Sequence, residues 1–361
     1  LLNITGDSVA RVCIALEEWL PARVSQHVSI IRPDPSELDS HFLRYFLASP
    51  NQQAQMLGLA SSGATRNALT KGMIEDFRVP CPNLNEQREI ADFLSAFDEK
   101  IELNRRMNTT LEAMAQALFK SWFVDFDPVK AKAAGRAPEG MDADTAALFP
   151  SAFAESEQGP IPKGWQRGKL GELCFNHREG VKPGEVEPDT PYIGLEHMPR
   201  KCIALDDWAY ASEAESGKSS FRTGDILFGK LRPYFHKAGV APIDGVCSTD
   251  ILVIRPIAHE FFGIALGHLS SVELINYADK HSNGAKMPRT KWEDLAAYQI
   301  VIPSKDVALS LSIVTLAAVE KIRGNIAESR TLAELRDALL PRLISGQLRI
   351  PEAEKMAEAA R

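Results

Sequence analysis

Residues 99–111 read EKIELNRRMNTTL, and residues 320–332 read EKIRGNIAESRTL. The two stretches share glutamate, lysine, isoleucine, asparagine and leucine at the same positions, with an offset of 221 residues. Along the segments around both stretches, positions spaced alternately by three and four residues are mostly apolar, which is typical of a helix that packs lengthwise on another helix,. A long helix that occurs twice therefore determines the expected architecture.

The repeat extends beyond these helices. The same offset aligns SSGA at 61–64 with SNGA at 282–285, and a slippage of two residues aligns IRP at 31–33 with IRP at 254–256. A nearly constant register over roughly 90 positions is poorly explained by chance, and two copies at so long a period exclude a solenoid. Each copy is predicted to be a globular domain followed by a helix.

The seam of each helix consists of positions that alternate by four and three residues. These helix-pairing positions are Ile90, Leu94, Phe97, Ile101, Asn104, Leu111 and Leu118 in the first helix, and Ile322, Asn325, Leu332 and Leu339 in the second. A left-handed supercoil keeps such a stripe against its partner. From Glu86 to Trp122 the first helix is predicted to be about 55 Å long, which makes it a stiff spacer.

Two asparagines occupy equivalent central positions of the seams. A polar pair in an apolar seam can determine register and orientation, as Asn104 and Asn325 would if they bonded to each other. The alternative is that both side chains tolerate solvent at a gap in the packing. The sequence leaves both interpretations open.

The globular parts show strand and turn signals. Residues 161–303 contain the β-rich runs TPYIGLEHM, TGDILFGKLRPYF, VCSTDILVIRP and YQIVIP, together with a helical stretch, FFGIALGHLSSVELINYADK,. This pattern predicts a mixed α and β domain. In the repeat register Leu1 corresponds to about Gly224, so the first copy is expected to lack about 60 residues at its N-terminus.

The predicted organisation follows from these signals. Residues between the two copies are rich in alanine, glycine and acidic side chains, which is typical of a solvent-exposed linker. The predicted order is a partial first domain at 1–82, a first long helix at 83–126, a linker at 127–160, a second domain at 161–303, a second long helix at 304–346 and a polar tail at 347–361.

Composition favours a globular protein, with 45% hydrophobic and 25% charged residues,. No apolar run reaches the roughly 20 residues that cross a bilayer, and no signal peptide is recognisable, so a cytoplasmic location without membrane contact is expected. The net charge of −7 argues mildly against nucleic acid,. Two stretches, 218–237 and 280–291, are nevertheless locally basic.

Signatures of catalysis are missing from the sequence. It contains no P-loop, no G-x-G-x-x-G after a strand, no H-E-x-x-H, no G-x-S-x-G and no D/N-P-P-Y/F motif,. The cysteines and histidines are not spaced for zinc. We therefore predict no active site, no metal site and no cofactor in this chain.

The strongest candidate for a binding surface is GKLRPYFHKAG at 229–239. Long cationic side chains interleaved with aromatics suit contacts with phosphates and base edges, and Arg232 is suited to a bidentate contact with guanine. An ordinary solvated hairpin is the alternative. The candidate DNA-binding residues are Lys218, Arg222, Lys230, Arg232, Tyr234, His236, Lys237, Lys286, Arg289 and Lys291, with Arg11, Arg66, Asn67 and Lys71 in the first copy.

Several motifs resemble the specificity subunit of type I restriction-modification systems. They are IPKGW at 161–165, YIGLEHM at 192–198, GDILFGKLRPY at 224–234, SNGA at 282–285, NEQREI at 85–90 and LLPRLISG at 339–346. No single motif is diagnostic. Their order, combined with the two-copy layout, makes the resemblance cover essentially the whole chain.

The resemblance implies an α+β fold with two α/β target-recognition domains, the first truncated at its N-terminus. Two long antiparallel helices forming a coiled coil would separate the domains and act as a ruler. Each domain would read one half of a split site in double-stranded DNA. The chain itself would not be an enzyme: two methyltransferase subunits with S-adenosylmethionine, and restriction/translocase subunits with ATP and Mg, would carry the chemistry.

Two other functions are compatible with parts of the pattern. A coiled-coil interaction scaffold that does not bind DNA would share the helical rod but would not need basic loops. An autonomous nuclease or methyltransferase would need acidic metal ligands or a cofactor loop, which the sequence does not show. DNA reading is the function that accounts for both the helices and the basic segments.

Overall fold

The chain forms two compact units. Unit 1 contains Leu1–Leu103 and Glu328–Arg361, and unit 2 contains Asn104–Ala327. Both boundaries fall inside long helices, so each unit includes part of each helix. The computed structural model describes residues 1–61, 67–182, 185–213, 217–284 and 286–359.

Both long helices predicted from the seams are present. The first long helix is Leu84–Phe119 and continues into a π-helical turn, Lys120–Val124. The second long helix is Lys305–Ile344. Within the described ranges, none of the helices combines the length and the hydrophobicity that crossing a bilayer would require.

In unit 1 the start of the first long helix packs against the end of the second. Leu94 and Leu339 are almost completely buried in one core, to which Leu332 contributes partly. Lys100 forms an ion pair with Glu328 at 3.2 Å. Because residues early in one helix contact residues late in the other, the pairing is antiparallel.

Asp98 is the polar centre of this helix pair. Its carboxylate accepts hydrogen bonds from Arg44 Nη1 at 2.6 Å and Tyr45 Oη at 2.7 Å. Arg336 of the second long helix donates to the other carboxylate oxygen. One half-buried carboxylate thus joins both long helices to the helix that contains Arg44.

In unit 2 the seam is held by asparagines. Asn325 Nδ2 donates to Asn108 Oδ1 at 2.8 Å, and Asn104 Nδ2 donates to the backbone carbonyl of Asn325 at 3.4 Å. Asn104 and Asn325 are 0% and 1% exposed. These contacts favour the register interpretation over solvent at a packing gap.

Unit 1 surrounds its helix pair with short elements. A two-residue strand pair, Leu2–Asn3 and Val28–Ser29, is antiparallel. The short α-helices among the described residues are Ser40–Ala48, Pro50–Ser61, Lys71–Glu75 and Ile350–Ala359. The last of these differs from the predicted polar tail: Leu348 and Ala353 are buried in the unit 1 core, so this segment packs as an amphipathic helix.

In its described residues, unit 2 contains two larger sheets and two small ones. The five-stranded sheet has the order Gly180–Val181, Lys218–Phe221, Gly245–Ser248, Pro191–Ile193 and Ala209–Tyr210. The four-stranded sheet has the order Ala238–Val240, Ile226–Gly229, Ile251–Pro256 and Cys174–Asn176. The small sheets pair Gln166–Lys169 with Gln299–Ile302 and Phe153–Ala154 with Ile161–Pro162.

Helices complete unit 2 and cover its sheets. They are Asp127–Ala133, Ala143–Leu148, Phe262–Leu269, Val272–Lys280 and Trp292–Ala296. The strand pairs are antiparallel, except that Gly245–Ser248 runs parallel to Pro191–Ile193. The predicted α+β class with paired antiparallel long helices is confirmed.

One strand of unit 2 determines where the basic loop begins. All four residues of Ile226–Gly229 are buried, and the strand lies between two antiparallel neighbours. A run of Ile, Leu and Phe fits a strand that is covered on both faces. The chain leaves this rigid strand directly into the basic loop, which we define as residues 229–239.

The segment at 127–160 differs from the exposed linker that its composition predicts. Val129 and Phe149 are 0% and 2% exposed. Phe149 packs edge-on against Trp122, with ring centroids 5.1 Å apart, and also contacts Trp165. A few apolar side chains are therefore enough to fold this alanine-rich segment onto unit 2.

Replacing Asp98 with asparagine should remove an acid-sensitive contribution to stability. Burial opposes ionisation of Asp98, but the hydrogen bonds from Arg44, Tyr45 and Arg336 outweigh it, so its pKa in the folded protein is below the ordinary 3.8. A carboxyl with a lowered folded-state pKa stabilises the fold above its unfolded-state pKa. This stabilisation is lost as the pH falls through the folded-state pKa.

Urea unfolding of the wild type and Asp98→Asn at several pH values tests this. At pH 7 the variant should lose about 1–3 kcal/mol, because two arginines lose their charged partner. The difference should narrow as the pH falls below about 4. Asp92→Asn, at an exposed position of the same helix, is the control. A difference that does not change with pH would contradict this role of the carboxylate.

Candidate nucleic-acid interface

The basic loop is closed by backbone hydrogen bonds. Gly229 N donates to the carbonyl of Lys237 at 2.8 Å, and Arg232 N donates to the carbonyl of Pro288 at 2.7 Å. Thr290 N donates in turn to the carbonyl of Lys230 at 3.0 Å. The basic loop and residues 286–291, which we call the second basic segment, are therefore hydrogen-bonded neighbours despite their separation in the sequence.

Two residues of the basic loop adopt left-handed backbone conformations. Arg232 has φ +50° and His236 has φ +51°, and they flank a short 3-10 turn, Pro233–Phe235. This conformation is uncommon for residues with a Cβ atom. The resulting tight turn leaves the side chain of Tyr234 50% exposed at the tip.

Unit 1 contains a loop with the same backbone pattern. Gly6 N donates to the carbonyl of Asn67 at 3.2 Å, and Leu69 N donates to the carbonyl of Ile4 at 2.8 Å. Gly6 and Ala10 have φ +78° and +72°, four residues apart like the two left-handed residues of the basic loop. Residues 4–11 therefore form the structural counterpart of 230–237 at an offset of 226 residues, three more than the register that pairs Leu1 with about Gly224.

Three predicted DNA-binding residues are directed into the protein. His236 is 8% exposed, and its Nε2 lies 2.9 Å from the carbonyl of Ser270. Lys237 Nζ donates to the carbonyl of Leu195, and the buried Lys218 has its ammonium 5.8 Å from the ring centroid of Tyr192. The structure corrects the assignment of these three, because their polar atoms are engaged within the fold.

Burial also shifts the pKa of two of these residues. It lowers the pKa of His236, although the Ser270 carbonyl acts in the opposite direction. It likewise lowers the pKa of Lys237, with the nearby Arg200 acting in the same direction. Both effects disfavour the charged form, which supports a structural role for these side chains.

A cleft of about 720 Å³ opens beside the basic loop. Its cationic lining residues are Lys230, Arg289, Lys291 and Arg178. Arg289 forms a bidentate ion pair with Asp250 at 2.8 and 3.0 Å. The polar neighbours with unionised side chains are Asn176, Ser219, Thr249, Asn283 and Thr290. The cleft therefore combines hydrogen-bonding groups with an excess of positive charge.

Several cationic residues of this region were not identified from the sequence. Arg178, two residues after the strand Cys174–Asn176, lines the cleft and forms an ion pair with Glu293 at 2.9 Å. The guanidinium of Arg200 lies 4.1 Å from the ring centroid of Phe235. Both residues are distant from the basic loop in sequence, so only the fold brings them there. The adjacent Arg200 and Lys201 form a local basic pair that would have been a usable signal.

The remaining candidate DNA-binding residues differ in their exposure and in whether an ion pair engages their charged group. Arg222, Lys286 and Lys291 are exposed. In unit 1 the exposed candidates are Arg11, Asn67 and Lys71, of which Lys71 lies 3.5 Å from Glu75. Arg66 lies outside the described residues. Within the described part of the chain, no group of three His, Cys, Asp or Glu side chains is arranged to hold a metal ion.

Comparison with known proteins shows which proteins this chain resembles. A family model described as the type I restriction modification DNA specificity domain matches residues 4–113. The specificity subunit of the HindI type I restriction enzyme of Haemophilus influenzae is 25% identical over 378 residues, which cover 90% of this chain and 81% of the relative. The chain is similar to the specificity subunits of type I restriction enzymes.

Other members of the specificity-subunit family show similar likeness. The MjaIX specificity subunit of Methanocaldococcus jannaschii is 26% identical over 325 residues, with 85% of this chain and 69% of the relative covered. A type I S subunit structure from M. genitalium is 20% identical, covers 86% of this chain and 74% of its own, and has a TM-score of 0.49. The HsdS structure from Thermoanaerobacter tengcongensis is 18% identical, covers 88% and 73%, and has a TM-score of 0.33.

His236→Ala should lower the thermal stability of the protein. The substitution removes the hydrogen bond to Ser270 and leaves a cavity, at an expected cost of about 1–3 kcal/mol. Alanine keeps the Cβ atom, so the backbone strain at this position is unchanged. Tyr234→Ala at the exposed tip is the matched control and should change stability by less than about 0.5 kcal/mol. Equal melting temperatures for the two variants would contradict the structural role of His236.

Proposed function

We propose that the chain is a non-catalytic DNA-binding specificity subunit that reads a bipartite target in double-stranded DNA. The similarity of the chain to type I restriction enzyme specificity subunits supports this proposal. The observation that carries it is the hydrogen-bonded pairing of the basic loop with the second basic segment. That pairing concentrates cations beside one cleft in a chain whose net charge is −7.

The chemistry of this surface suits DNA. Lys286 and Lys291 are exposed lysines on the second basic segment and are suited to phosphate contacts,. Lys230 and Arg289 face the adjacent cleft with amide and hydroxyl groups that can contact base edges,. Phosphate contacts would position the duplex, and the polar groups of the cleft would contribute sequence preference.

The duplicated loop supports a bipartite target. Residues 4–11 and 230–237 share one backbone hydrogen-bond pattern, one in each unit. We therefore assign one half of the target to each unit. The side chains of the two loops differ, so the two half-sites are expected to differ in sequence.

The chemistry of restriction and modification is assigned to partners as part of the same proposal. Two methyltransferase subunits would supply S-adenosylmethionine and methylate the target. Restriction/translocase subunits would use ATP and Mg²⁺. The long helices are proposed to dock these partners, and the complex is proposed to act in the cytoplasm on DNA that enters the cell.

Charge reversal of the second basic segment tests DNA binding. Lys286→Glu with Lys291→Glu should weaken retention of duplex DNA by roughly tenfold or more near 0.1 M salt, because two phosphate contacts are replaced by repulsion. The slope of log affinity against log salt should become shallower by about two. The measurement is a salt titration of fluorescently labelled genomic fragments against the purified full chain.

The control variant is Lys163→Glu with Lys169→Glu, two exposed lysines of unit 2 that do not line the cleft. It matches the charge change and should bind DNA like the wild type. The basic loop and the second basic segment together form what we call the basic surface. If both double variants bind DNA equally, the basic surface is not the DNA site. If the wild type assembles with its methyltransferase partner but does not retain DNA, the scaffold function replaces this proposal.

A further inference from the structure

Arg232 occupies a backbone position where its counterpart in unit 1 is glycine. Arg232 has φ +50° and Gly6 has φ +78°, and the backbone N–H of each donates across the loop to the equivalent segment. Glycine adopts this conformation without a steric cost, whereas a residue with a Cβ atom does not. Unit 1 shows that the loop closes without an arginine, so loop closure does not account for the arginine side chain.

The guanidinium of Arg232 is poorly satisfied within the fold. Its Nε is buried and has no hydrogen-bond partner among the described residues. Its Nη2 lies 3.4 Å from the carbonyl of Lys286, long for a charge-assisted hydrogen bond,. The ring centroid of Phe235 is 6.0 Å from its Cζ, at the limit of a cation–π contact,.

Neighbouring arginines of unit 2 are bonded quite differently. Arg255 contacts both carboxylate oxygens of Asp225, at 2.7 and 2.8 Å, and Arg289 contacts both oxygens of Asp250. These two guanidinium groups are held by paired acceptors. Arg232 alone among these three lacks a carboxylate partner and keeps donors available for an external acceptor.

We propose that Arg232 is a specificity-determining residue, which leaves its weak contacts to bind two acceptors on a guanine edge. This inference rests on the proposed function. A base edge is favoured over a phosphate because the planar guanidinium matches the O6 and N7 acceptors of guanine, while exposed lysines beside it are available for phosphates. Gly6 cannot make such a contact, so the half-site read by unit 1 is recognised by different chemistry.

Arg232→Gly separates this role from a structural one. The variant should keep or raise the melting temperature, because glycine relieves the left-handed conformation. Co-expressed with the methyltransferase partner, it should lose discrimination at one base pair of the half-site, by about tenfold or more in methylation rate. Genome-wide methylation mapping measures this, with Arg136→Gly, at an exposed position of unit 2, as the matched control.

Arg232→Lys distinguishes base reading from charge alone. Lysine keeps the positive charge but not the two parallel donors. Arg232→Lys should therefore lose discrimination at the same base pair as Arg232→Gly does. If Arg232→Lys discriminates at this base pair as the wild type does, the contact is with a phosphate and the base-reading proposal is overturned.

A fall of several degrees in the melting temperature of Arg232→Gly would show that the arginine is structural. An unchanged methylation pattern of Arg232→Gly would also overturn the proposal. Absence of methylation and of DNA retention in the wild type would instead reject the proposed function.

Discussion

The hydrogen bond from Asn325 Nδ2 to Asn108 Oδ1, at 2.8 Å, constrains the rest of unit 2. An amide in an apolar seam favours the one register in which it is paired, because a slip of the helices would leave it buried without a partner. The register in turn places Glu112, whose buried carboxylate accepts from the backbone of Ile203 at 2.7 Å. The carbonyl of Ile203 accepts from Val240 at 2.9 Å, on the strand that ends the basic loop. A continuous set of polar contacts thus connects the helix seam to the basic loop.

The basic surface separates the groups that hold its shape from the groups that are available to a ligand. Its shape depends on backbone hydrogen bonds and on side chains such as His236, whose polar atoms are bonded inside the protein. Its accessible charge comes from exposed lysines on the second basic segment. This separation explains how an acidic protein can present a cationic site, since local charge density, and not net charge, governs phosphate binding.

The sequence predicted the elements that depend on local periodicity and missed those that depend on distant contacts. The seam positions, the long helices and the strand Ile226–Gly229 follow from spacing and residue type. The pairing of the basic loop with the second basic segment does not, because Leu231 and Arg289, which form an isolated β-bridge, are far apart in the chain. The hydrogen bond of Lys237 likewise depends on the distant Leu195 carbonyl. Arg178 reaches the cleft from a segment that had no clear signal in the sequence.

Comparison of the two duplicated loops, residues 4–11 and 230–237, separates the features they share from those in which they differ. Their common pattern consists of backbone N–H and C=O groups, which every residue except proline provides, so the pattern persists although few side chains are shared. Side chains at the loop tip therefore change the chemistry presented to a ligand without changing how the loop is closed. The helix seam depends on side-chain identity instead, because Asn104, Asn108 and Asn325 act through their side chains. Selection for a new target can consequently act on the loops while the helices remain constrained.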